Sequence, residues 1–164
     1  MWLLRSAPMD VKVLFWSKYW VGTLPLLFIA LPLIIVTNLL LDVSPFIFFL
    51  TAVTMVLMTL ALSALALGFG ALYPNYESDN AAEIPTSFGG LLFMMAAVTY
   101  LVGVIVLEAW PVYHHLAGSL RGDPSGNLAI LSPVLGMVGA ATLTALAIVL
   151  PLRAGVRKVR ALDF

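Results

Sequence analysis

Residues 45–90 read PFIFFLTAVTMVLMTLALSALALGFGALYPNYESDNAAEIPTSFGG. No charge occurs between Asp42 and Glu77, and then Glu77, Asp79 and Glu83 supply three of the eight acidic residues of the chain. An uncharged run of that length exceeds the ~20 residues a helix needs to cross a bilayer core. Ser44 before Pro45 supplies a capping hydroxyl and a first-turn proline, so a membrane helix is expected from about Phe46 to Leu72. Its length calls for tilt. Pro74 stops it, and an acidic loop follows.

The rest of the chain repeats this pattern. It is 62% hydrophobic and 10% charged over 164 residues, where a soluble domain needs near a quarter of its residues charged. No charge falls between Lys18 and Asp42, Glu83 and Glu108, or Asp123 and Arg153. Four spans are therefore expected, near 20–41, 46–72, 88–107 and 133–152, in an all-α integral membrane bundle. Ser87 or Thr86 suits the cap of the third span, and Ser132 before Pro133 that of the fourth. Pro25 and Pro32 are expected to bend the first.

Seven of the eight basic residues lie before the first span or after the fourth; Arg121 is the exception. With an even number of spans this places both termini in the cytoplasm, at the cell membrane, with residues 153–164 as a basic tail. The acidic loop then also faces the cytoplasm. A net charge of zero argues against nucleic acid as a partner. The absence of cysteine excludes disulfides and thiolate chemistry. Adjacent His114 and His115 point about 100° apart on a helix and suit a membrane-surface loop better than a metal site. No phosphate-binding loop pattern occurs, so no nucleotide hydrolysis and no cofactor is expected of this chain.

Three features remain as candidates. Asn80 to Glu83 forms a capping box within the acidic loop, so Tyr76, Glu77, Asp79, Asn80, Glu83 and Ile84 read either as a docking knob for a soluble partner or as a solvated turn. Residues 1–19, with Lys12, Trp16 and Lys18, read either as an interfacial helix or as an extension of the first span with snorkelling lysines. Ala64, Gly68 and Gly70, and Gly136 with Ala140 and Thr144, offer small-residue surfaces for helix packing. Within the expected spans no ionisable residue occurs, which argues against an ion-coupled carrier. Asn38, Thr51, Thr54, Thr59 and Ser63 are the notable hydrogen-bonding groups at depth.

The order of WLLRSAPMDVKVLFWSKYW, LGFGALYPNYESDN and SFGGLLFMM resembles the C-terminal portion of a bacterial type-2 ATP-binding-cassette exporter permease. The resemblance runs from about Trp2 to the end of the fourth span, and GALYPNY…N…SFGG is its most specific block. It implies a connecting helix at Pro8–Tyr19, a coupling helix at Tyr76–Ile84 that docks on a separate ATPase subunit, and an external re-entrant region at Glu108–Leu131. The remaining permease spans, or a second permease copy, would complete the path through the bilayer. Such permeases carry more than four spans, so a truncated or split reading frame is also expected. A non-transporting membrane anchor, an assembly subunit or a non-functional fragment is the alternative reading.

Overall fold

The computed structural model of the chain describes residues 11–74, 87–121 and 127–161. They form four helices: α1 (Val11–Leu40), α2 (Pro45–Leu72), α3 (Phe88–Arg121) and α4 (Asn127–Ala161). No strand occurs among the described residues. Each helix contains a segment long and apolar enough to cross a membrane: Val13–Leu40, Pro45–Leu72, Phe88–Tyr113 and Leu135–Val159.

The cap of α2 follows the local chemistry. Ser44 Oγ accepts from the Ile47 amide at 3.5 Å, and Pro45 occupies the first turn, where a missing N–H costs nothing. The turn before it is closed by Asp42 in the left-handed conformation (φ 49°), a geometry tolerated by a short polar residue. Ser87 likewise caps α3, its Oγ accepting from the Gly90 amide at 3.2 Å.

Of the two readings of 1–19 the described residues follow the extension of the first span, and two further expectations are corrected. The described part of 1–19, from Val11 onward, is continuous with the first span as one helix that also contains Pro25 and Pro32. The third span does not stop at Leu107 but carries Glu108 into its interior, and α3 continues through His114 and His115 to Arg121. Much of the expected external loop is thus helix. Ser132-Pro133 is not a helix start either, because α4 begins at Asn127 and Pro133 lies within it.

α2 and α4 run parallel and share the most extensive interface, with α3 against both. α1 packs chiefly on α2, touches α4 at one end, and does not meet α3 among the described residues. Ala61 and Leu65 of α2, Tyr100 and Val104 of α3, and Ala140 of α4 form the buried core. Helices in lipid gain little from burying apolar surface against each other, so close packing has to supply the attraction.

Glycine–proline contacts supply it at both ends of α4. A Cβ on Gly68 would lie 2.4 Å from Pro151 Cβ and 2.7 Å from its backbone carbonyl, so only hydrogen fits there. At the other end a Cβ on Gly136 would lie 2.7 Å from Pro111 Cγ and 2.8 Å from the Leu107 carbonyl oxygen. Pro111 has no N–H to satisfy that carbonyl, four residues back along α3. The freed oxygen therefore faces the glycine. Gly70, by contrast, would meet nothing within 4 Å.

Candidate functional site

Two regions carry side chains with a specific job: the membrane-surface end where the acidic loop leaves the bundle, and a set of polar contacts at depth. Residues 75–86 lie outside the described residues, and with them Tyr76, Glu77, Asp79, Asn80, Glu83 and Ile84. The two stalks of that loop are described and are held close together. The Tyr73 ring meets Phe88 edge to face with centroids 5.4 Å apart. A Cβ on buried Gly89 would come within 2.7 Å of Tyr73 Cβ, so glycine lets the start of α3 approach the end of α2.

α4 joins this junction through Lys158. Its ammonium donates to the Leu72 carbonyl, one of the acceptors that the end of α2 leaves open, and stands 5.2 Å from the Tyr73 ring centroid. Gly155, one turn earlier, packs against Ala71 and Phe15. The base of the acidic loop is thus the meeting point of all four helices.

Of the residues expected at the N-terminal segment, Trp16 and Lys18 are exposed on α1. Lys12 lies in the first turn of that helix. Trp16 stacks on Tyr19 at 5.7 Å and meets Trp20 edge-on at 5.9 Å. Ala64 and Gly68 are buried on α2, and Gly136 and Ala140 on α4, while Gly70 is exposed.

Among the described residues, and apart from that of Lys158, four hydrogen bonds join one helix to another. Thr54 of α2 donates to Glu108 Oε1 of α3 at 2.5 Å. Tyr100 Oη and Thr144 Oγ1 lie 2.9 Å apart, and since Thr144 donates to the Ala140 carbonyl, the tyrosine is the donor. Asn38 Nδ2 donates to Thr51 Oγ1 at 2.8 Å, and Tyr19 Oη donates to the Leu60 carbonyl at 3.0 Å. Thr59 and Ser63 donate to carbonyls of their own helix. Such back-bonding uses each hydroxyl proton within α2.

In sequence Glu108 has the form of a span boundary, because a charge usually marks the end of an apolar run. The corrective signal lay just beyond it. Trp110 and Tyr113 are exposed aromatics of the kind that sit at the membrane–water boundary, two and five residues further on.

The model of a family described as "Putative ATP-binding cassette" matches residues 1–164, the whole chain. The chain belongs to that family. No curated protein and no solved structure matches it. The protein is therefore a multi-pass, ATP-binding-cassette-related membrane protein, with four helices long and apolar enough for the role.

Proposed function

We propose that this chain is a membrane-spanning permease portion of an ATP-driven exporter, working with a separate ATPase subunit. The observation that carries the reading is a cassette-family match over a chain whose described helices are all of membrane length. The family description names the ATP-binding cassette, but the sequence contains no G-x-x-x-x-G-K-[ST] loop to cradle phosphates. Hydrolysis then belongs to the partner, and this chain is no enzyme.

In this reading the loop 75–86 is the handle. It projects into the cytoplasm with both termini, as the distribution of Lys and Arg favours. Closure of the ATPase subunits pulls on it, and the clamped base passes the displacement to the bundle, which re-packs between two states. Further permease spans or a second copy complete the pathway. Glu108 lies within a span, so the earlier objection to an ion-coupled carrier weakens, but nothing in its setting calls for a coupling ion.

The test is co-purification from native membranes in mild detergent. The native chain is compared with Glu77→Lys, Asp79→Lys, Glu83→Lys combined. An ATPase retained by the native loop and lost from the reversed one is the expected result. An ATPase retained by both moves the contact elsewhere, to Lys12, Trp16 and Lys18 on α1. A well-folded chain with no ATPase in either sample overturns the exporter reading in favour of an anchor or assembly subunit.

A further inference from the structure

A groove opens at the membrane surface between the first turns of α1 and the last turns of α4. It is lined by Phe15, Trp16, Tyr19, Leu152, Arg153, Val156 and Arg157. Phe15 and Tyr19 are buried and form its floor, while Trp16, Arg153 and Arg157 are exposed. The lining holds two arginines and no acidic residue. We propose that this groove binds the headgroup of an anionic phospholipid, with Arg153 and Arg157 holding the phosphate and α1 guiding an acyl chain. The inference is independent of the exporter reading.

Four observations select this occupant. Arg153 and Arg157 are one turn apart on the same face of α4, so their guanidinium groups can converge on one anion; the planar fork of each matches two phosphate oxygens. Arg153 is the first charge after the uncharged run that begins beyond Asp123, which sets the pair at the edge of the bilayer core. Trp16, stacked on Tyr19, stands exposed beside them, and a tryptophan so placed belongs at headgroup level.

The fourth observation separates a lipid from a free anion or a soluble protein. From Trp16 an exposed apolar stripe descends along α1 at helical spacing: Trp20, Leu24 and Phe28, the last 81% exposed. It leads from the charged mouth of the groove into the membrane. A phosphate ion has no use for such a stripe, and a soluble subunit cannot reach down it. A lipid has a headgroup for one end and a hydrocarbon tail for the other.

The experiment uses the full chain in phosphatidylcholine nanodiscs, with Trp2, Trp20 and Trp110 changed to Phe so that Trp16 alone reports. Acyl-brominated phosphatidylglycerol is compared with acyl-brominated phosphatidylcholine as a quencher. Two cationic contacts at the surface predict a preference on the order of tenfold for the anionic lipid. R153Q/R157Q should reduce it to the phosphatidylcholine level, whereas K12Q/K18Q, with the same loss of charge outside the groove, should keep most of it. R153K/R157K retains the charge and should show an intermediate loss, which also covers the case in which the Gln pair does not fold.

Equal quenching by both lipids in the native chain overturns the proposal. So does an equal loss in K12Q/K18Q, which would mean a diffuse surface field. Displacement by excess inorganic phosphate would reassign the groove to a free anion. Shielding of Trp16 from both lipids would reassign it to a protein partner.

Discussion

The seam between α2 and α4 and the middle of α1 are built from nearly the same apolar residues, yet they meet different surroundings. Along the seam Ala61, Ala64 and Gly68 are buried, and Gly68 lies so close to Pro151 that no side chain fits between them. From Leu24 to Thr37 of α1 no residue is buried, and Phe28, Ile29 and Leu33 stand well exposed. Both segments are hydrophobic enough for the bilayer. Hydropathy therefore selects the membrane, while small residues and hydrogen-bonding groups select the neighbour.

The largest test of that contrast is Gly68→Val beside Gly70→Val. The first must displace the Pro151 backbone and should cost about 3 kcal/mol or more, at or above the top of the overpacking range. The second meets open space and should cost no more than about 1 kcal/mol, the β-branched residue itself being helix-compatible. Thermal unfolding in nanodiscs compares them. Similar losses for both would remove the distinction between seam and surface.

A second test concerns the polar ties. Glu108→Ala should destabilise by about 1–3 kcal/mol, since it strips the Thr54 hydroxyl of its acceptor. In a double-mutant cycle with Thr54→Val the coupling should fall near 0.6–1.7 kcal/mol, the span found for hydrogen bonds between membrane helices. Zero coupling would show that the pair does not hold α2 to α3. Tyr100→Phe should cost about 0.5–1.5 kcal/mol and lose that effect once Thr144 is Val.

The smallest effect is expected at Phe28→Ala. In the isolated chain its unfolding temperature should be almost unchanged, since surface substitutions usually stay within about 0.5 kcal/mol. A strong loss of complex formation with an intact fold would sharpen the comparison further, by showing that this face of α1 meets another protein as well as lipid.

The fold was legible where a single local signal decided it. Ser44-Pro45 and Leu72-Tyr73-Pro74 mark the ends of α2 because caps and prolines act within one turn, and the structure places that helix at Pro45–Leu72. The far ends of α3 and α4 were not legible. Glu108 looks like a boundary until its partner Thr54, fifty-four residues earlier, is known. Ser132-Pro133 has the form of a helix start, but Asn127 begins the helix sooner. Which glycines pack and which face outward was equally hidden, because Gly68 and Gly70 have the same local surroundings in sequence. Of the candidate docking site, the clamped base is described and the acidic tip lies outside the described residues.

The parallel course of α2 and α4 has an electrostatic consequence. Helix dipoles laid side by side in the same direction repel, and their negative ends meet at the surface where Leu72 and Ala161 lie. Lys158, seated on the Leu72 carbonyl, together with the adjacent Arg157 and with Arg153 one turn before that, brings positive charge to that place. The basic end of α4 therefore has a task inside the bundle. It offsets the repulsion between the two helices at the centre of the bundle.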